Sequence, residues 1–185
     1  TKDNKNWAIT GPNASGKTTF VKSILLNVLL AQQFGLACAT SLHLSAPYDH
    51  FHAYLNIPDT TGRDSLFQAE VKRCRTILDA CITPSPTSLK SKNESESKEK
   101  RCDERHLCVL DELFSGTNPD DAIVGGEQVM QYLAPHHSRV TCFLTTHYTQ
   151  LCERLASHIQ CMQMATDEPY IIKPGISKER SGSQI

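Results

Sequence analysis

The chain has 185 residues, a formal net charge of −1, a hydrophobic fraction of 39% and eight cysteines. That length is one domain by default, able to bury roughly 70% of the surface its unfolded chain would expose. The longest apolar stretch, Ile24 to Ala31, is interrupted by Asn27 and falls short of the ~20 residues a membrane helix needs. The near-neutral balance excludes a strongly basic, self-sufficient nucleic-acid binder.

The chain opens on Thr1 without a charged-then-apolar leader, the pattern expected of a piece of a longer protein. No two cysteines stand as C-x-x-C, so the composition predicts scattered reduced thiols, not a disulfide scaffold or a zinc finger. His50/His52 and His136/His137 are close pairs without a helical i, i+4 partner, and are expected to be surface or strand residues. The scattered reduced thiols predict an intracellular protein, with cytoplasm and nucleus not distinguished.

In chain order, Asn6 to Thr10 predicts a short buried strand running into a glycine-punctuated turn. From Lys17 to about Gln33 the pattern is helical, with apolar residues on most sides, which predicts a buried helix ended by Gly35. Leu36 to Ile57 holds short β-prone pieces broken by Pro47 and Pro58. A second helix starts near Ser65, with Gln68 placed for a capping box, and runs to about Ile82 with a stripe of Leu66, Phe67, Val71, Ile77 and Leu78.

Composition then changes sharply. Thr83 to Arg105 is rich in serine and alternating charge and cannot offset its own ordering entropy, so a solvated, disordered insertion is expected. A phosphorylated or partner-binding segment is the alternative. Order returns with the apolar run His106 to Leu110, then a helix over Pro119 to Leu133 and a strand over Arg139 to Leu144. A short helix after Tyr148 and β-prone pieces at His158–Met164 and Tyr170–Ile172 complete the chain. Strands alternating with helices predict an α/β fold, a largely parallel sheet covered on both faces.

Three strand ends carry chemistry. Gly11-Pro12-Asn13-Ala14-Ser15-Gly16-Lys17-Thr18 is a full G-x-x-x-x-G-K-[ST] between a strand and a helix, and Thr19 continues it. Its glycines let the backbone curl so that N–H groups point at phosphate oxygens; Lys17 reaches the β- and γ-phosphates, and the Thr18 hydroxyl ligates Mg²⁺. This predicts a P-loop nucleotide-binding core. Second, the strand through Leu110 delivers Asp111 and Glu112 to the edge where ligands of open α/β sheets bind. Asp111 is expected to hold Mg²⁺ through water and Glu112 to orient or deprotonate the attacking water. Third, Phe143 to Tyr148 brings His147 to the same edge, where it can donate to the γ-phosphate or to that water. Lys17, Glu112 and His147 are thus the expected catalytic residues, with Thr18 and Asp111 as the metal ligands.

The order GPNASGKTT, TTGRDSLFQAE, LCVLDELFSGT, FLTTHY resembles the ATPase domain of the MutS family of DNA mismatch repair proteins. The resemblance covers nearly the whole chain except Thr83 to Arg105. It departs from the family's usual GPNMGGKS/T at Ala14 and Ser15, and from the usual S-G-R-S-T-F at Thr61 and Asp64.

The resemblance implies an ABC-ATPase-like P-loop fold and Mg²⁺-dependent ATP hydrolysis, DNA-dependent in the parent protein. It implies a dimer with a second copy or paralogue whose two sites are composite. Thr61, Gly62, Arg63 and Ser65 match the signature segment that acts in trans, with the choice of hydroxyl between Thr61 and Ser65 open. Ser115, Gly116, Thr117 and Asn118 match the loop crossing the dimer interface. Contacts to mismatched double-stranded DNA would lie in domains outside this chain, and no membrane partner is implied. An ABC-type ATPase of transport, chromosome maintenance or recombination is the alternative, although no LSGGQ-like segment is present. A switch that binds ATP without hydrolysing it is a further one.

Overall fold

The computed structural model describes residues 6–55, 66–83, 104–165 and 170–177. Its strands are β1 (Asn6–Thr10), β2 (His50–Tyr54), β3 (His106–Asp111), β4 (Val140–Thr146), β5 (Gln160–Met164) and β6 (Ile172–Pro174). Its α-helices are α1 (Lys17–Phe34), α2 (Leu66–Ile82), α3 (Pro119–Leu133) and α4 (Thr149–Leu155). The six strands form one sheet in the order β2-β3-β4-β1-β5-β6, parallel throughout except for the antiparallel β5–β6 pair. The expected mixed α/β architecture with a mostly parallel sheet is therefore present.

Alternation along the strands sorts side chains between two cores. Ala8, Cys108, Leu110, Cys142 and Leu144 pack with residues of α2, α3 and α4 on one face. Ile9, Val109 and Phe143 pack with Val21, Phe20 and Leu25 of α1 on the other. The inner strand β3 is buried along its whole length, and its Leu107–Leu110 run is apolar as burial on both faces requires.

Two helical expectations are corrected. The first helix is not buried all round: Leu26 is 58% and Phe34 73% exposed. Among the described residues α1 alone covers its sheet face, so only one side of it meets the core. It ends where Gly35 takes a left-handed φ of 69° and its N–H bonds back to the Ala31 carbonyl. In α2 the buried positions are Glu70, Cys74, Ile77 and Cys81, while Val71 is exposed. Ile77 of the expected stripe is buried and Phe67 and Leu78 pack against the same core, so Val71 alone turns to solvent while Cys74 and Cys81 join the buried face.

Other expectations agree closely. The helix α3 spans the expected residues, and Asn118 caps it by accepting from the Asp121 N–H at 2.9 Å. The segment between Leu36 and Ile57 forms one strand, β2, on the edge of the sheet. The cysteines among the described residues are free thiols, most of them buried. Residues 84–103, most of the expected insertion, and 61–65, the expected signature segment with Thr61, Gly62, Arg63 and Ser65, lie outside the described residues. No described helix is long and apolar enough to cross a membrane.

Candidate functional site

Parallel register brings three strand ends together. Thr10 of β1 stands beside Thr146 of β4, and Thr145 of β4 beside Asp111 of β3. Each strand therefore releases its chain at the same edge: β1 into the Gly11–Gly16 loop, β3 into Glu112, and β4 into His147.

The loop curls tightly between β1 and α1. Ala14 and Gly16 both have left-handed backbones, with φ of 62° and 94°, and the Ser15 N–H bonds back to the Pro12 carbonyl at 3.3 Å. At Gly16 an added Cβ would lie 2.8 Å from the Tyr170 ring, so glycine is required there for space as well as for conformation. No acidic side chain stands in the first turn of α1 and no side chain caps it. Its leading N–H groups are thus available to an anion, with the positive end of the helix dipole behind them.

Lys17 is buried, 4% exposed, and its Nζ donates to the Gly11 and Pro12 carbonyls at 3.0 and 2.9 Å. The same ammonium lies 3.4 Å from Glu112 Oε1. Thr18 Oγ1 reaches across to Asp111, 3.1 and 2.8 Å from its two carboxylate oxygens. A hydroxyl and a carboxylate side by side are hard oxygen donors of the type that suits a small divalent cation.

Asp111 is fixed from behind as well. Thr145 Oγ1 donates to Asp111 Oδ1 at 2.5 Å and accepts from the Glu112 backbone N–H at 3.0 Å. Glu112 itself sits at φ 48°, a left-handed conformation that costs a non-glycine residue of order 1–3 kcal/mol. The strain turns its side chain into the site while Asp111 stays in the strand.

His147 Nδ1 lies 3.8 Å from Glu112 Oε1, and the ring rests against Tyr148 with centroids 4.1 Å apart. The His147 imidazole, and after it the Lys17 ammonium, hold the Glu112 carboxyl below its usual value against the opposing effect of partial burial. The acid is thereby kept as a carboxylate.

Asn13, Ala14, Gly16, Lys17, Thr18, Thr19, Glu112 and Tyr170 line a cavity of about 330 Å³ over this edge. A larger groove, about 570 Å³, runs between α2 and α3 along Phe67, Val71 and Tyr132, away from these groups. The structure thus brings Lys17, Thr18, Asp111, Glu112 and His147 into one site, and it keeps Ser115 to Asn118 on an exposed turn leading into α3.

Three residues of the arrangement escaped sequence reasoning. Thr145 gave no signal, because its partners are set by strand register. Tyr170 reaches the loop from a distant β-prone piece. Glu70 is 3% exposed and accepts from the Gly116 N–H at 3.3 and 3.2 Å and from Ser115 Oγ at 3.4 Å, tying α2 to the 115–118 turn. An acid at i, i+4 and i+7 spacing with Cys74 and Ile77 was the available clue.

The chain is similar to DNA mismatch repair protein MutS of Treponema pallidum, 28% identical over 180 residues, which is 95% of this chain and 17% of that protein. It is likewise 28% identical to MutS of Orientia tsutsugamushi over 89% of this chain and 16% of that protein. DNA mismatch repair protein MSH3 of Chaetomium globosum matches at 28% over 84% of this chain and 12% of its own length. No family model matches the sequence. The chain therefore spans less than a fifth of these relatives, and their similarity along most of it supports a relationship to the MutS family.

Proposed function

We propose that this chain is the Mg²⁺-dependent ATP-binding and hydrolysing part of a MutS-like DNA mismatch repair protein. The observation that carries the proposal is the meeting of Lys17 and Thr18, behind the glycine-turned loop, with Asp111 and Glu112 at one edge of the sheet. The mismatch repair context comes from the printed names of the relatives.

On this reading the Gly11–Gly16 loop and the leading N–H groups of α1 bind the phosphates, and Lys17 exchanges its two loop carbonyls for β- and γ-phosphate oxygens. The chemistry of the donor pair fits magnesium: Thr18 Oγ1 and Asp111 would hold it, and it would neutralise charge developing on the phosphates. Thr145 keeps Asp111 and Glu112 in register. Glu112 accepts a proton from the attacking water, and the ionised form that His147 and Lys17 favour is the form able to do so. His147 orients that water or the terminal phosphate. Tyr170 borders the cavity where the rest of the nucleotide would lie.

The proposal includes a dimer in which Thr61, Gly62, Arg63 and Ser65 of one copy complete the partner's site. The resemblance of these residues to the signature segment supports it, as does the helix that begins at Leu66 and could present its N-terminus to an anion. Mismatched DNA would be held by parts of the longer protein, and the net charge of −1 agrees with a chain that binds DNA poorly alone.

Calorimetric titration of ATP with Mg²⁺ into the chain and into Lys17→Ala tests the core of this reading. Binding to the wild type and its loss in the variant are expected. Equal binding by both would overturn it.

A further inference from the structure

At the opposite end of β3 from Asp111, a second group of chemically active side chains converges. The register pairs His50 with His106 and His52 with Cys108. Alternation sets all four on one face of the sheet, the face that α2 covers with Cys81 in its last turn. His52 Nε2 lies 3.1 Å from His106 Nδ1, and Cys81 Sγ lies 3.4 Å from Cys108 Sγ. One ligand atom each from His52, Cys81 and His106 falls within 4.8 Å of the others.

We propose that His52, Cys81 and His106 form a binding site for a thiophilic divalent metal, zinc in the first instance. Three observations carry it. The donor set, two imidazoles and a thiol, is the one zinc selects over magnesium or calcium. The spacing fits: zinc–nitrogen bonds of about 2.0–2.1 Å and zinc–sulfur bonds of about 2.3 Å place tetrahedral ligands about 3.4–3.7 Å apart. The 3.1 Å between the two ring nitrogens, and the 4.8 Å span of the whole set, require ångström-scale adjustment only.

The third observation is burial. His106 is 2% and Cys81 0% exposed, so a metal held between them would be shielded from water by the surrounding core.

The site has a structural use. Cys81 and Cys108 are 27 positions apart, and the chain between them leaves α2 and re-enters at β3. A metal bridging Cys81 to His52 and His106 clips the end of α2 to the edge strand β2 and its neighbour. It closes that long excursion as a cross-link does, and so stabilises the fold by restricting the unfolded chain.

A neighbouring group of His50, Glu104 and His106 shares one member but offers no sulfur. His50 Nε2 lies 3.2 Å from Glu104 Oε2. Spectroscopy separates the two donor sets, because only the first gives a metal–thiolate band.

The test is titration of Co²⁺ into the reduced, untagged chain, followed by Zn²⁺ displacement and thermal melts with each metal. Expected are one Co²⁺ per chain, the intense visible bands of tetrahedral cobalt, a thiolate-to-cobalt charge-transfer band, and displacement by Zn²⁺. Excess metal at about 100 times its Kd should raise Tm by about 5–10 °C. Cys81→Ser should abolish the charge-transfer band. The half-buried His52 on the edge strand supplies a second variant less prone to disturb folding: His52→Ala should weaken binding by more than the roughly 10–100-fold that loss of an outer partner costs. Cys38→Ser, at an exposed thiol, should change nothing. No cobalt binding, octahedral spectra only, or a band that survives Cys81→Ser would each overturn the proposal. So would a Cys81–Cys108 disulfide that forms in preference to metal uptake.

Discussion

Thr145 donates to Asp111 at 2.5 Å across adjacent strands, and with the same oxygen accepts the backbone N–H of Glu112 at 3.0 Å. One hydroxyl in β4 thus sets the position of two successive acidic residues at the end of β3. Thr145→Val keeps the shape and removes the hydroxyl. On the proposed function, ATP hydrolysis should fall roughly 10- to 100-fold, the worth of a hydrogen bond to a charged group, with ATP affinity changed only a few-fold. Thr145→Ser should recover most of the rate. Steady-state phosphate release measures this, and an unchanged rate in the valine variant would remove Thr145 from the mechanism.

Glu112→Gln preserves volume and removes the basic oxygen. If Glu112 is the base, as proposed, turnover should drop by at least about 100-fold while ATP binding persists, since a general base contributes about 10²–10⁴-fold. With ATP bound and hydrolysis stopped, size-exclusion chromatography should show a dimer. A monomer under those conditions would count against a site completed in trans.

The ionisation of Glu112 gives a prediction with a definite sign. Its folded-state value lies below the usual one, so it adds to stability above the unfolded value and loses that contribution as pH falls through the depressed value. Side-chain carboxyl NMR should find it titrating below 4.5, its ordinary value. His147→Ala removes the foremost cause and should move the titration upward. No movement would mean that the 3.8 Å approach of His147 carries no electrostatic weight.

Glu70 reads as a buried strut between α2 and the 115–118 turn. Glu70→Ala leaves the Gly116 N–H without its acceptor, at a cost of about 1–3 kcal/mol in urea unfolding. Hydrogen exchange at the Gly116 amide should quicken in that variant. Unaltered exchange would show that the carboxylate does not hold the turn.

Two glycines should respond to alanine for different reasons. At Gly126 an added Cβ would lie 2.8 Å from Leu151 Cδ2, where α3 meets α4, so overpacking should cost about 1–3 kcal/mol. At Gly35 nothing lies within 4 Å, and the left-handed φ of 69° alone should cost about 1 kcal/mol. Thermal melts of both variants measure these losses, and a Gly126→Ala variant that melts with the wild type would refute the steric account of the α3–α4 contact.

Much of this site was legible before any coordinates. The sequence marks Gly11–Thr18, Asp111-Glu112 and His147 because each follows an apolar run of strand length, and parallel strands in an α/β sheet must release their ends on one side. The exposed leucines of α1 were misjudged, since periodicity shows that residues are apolar but not whether a second layer exists to cover them. In α2 the stripe gains members: Cys74 and Cys81 join Ile77, Phe67 and Leu78 on the core, because a buried thiol packs as a small apolar group although pattern reading scores it neutral.

The sequence by itself determined the element order, the glycine-turned loop and the acidic strand end, because these depend on local conformational preference and on spacing within one segment. Only the tertiary structure decided that Thr145 governs Asp111, that Glu70 faces the 115–118 turn, and that His52, Cys81 and His106 share one corner. Those contacts depend on strand register and helix rotation. Both are fixed by packing between segments far apart in the chain, where a shift of one residue turns every side chain to the other face.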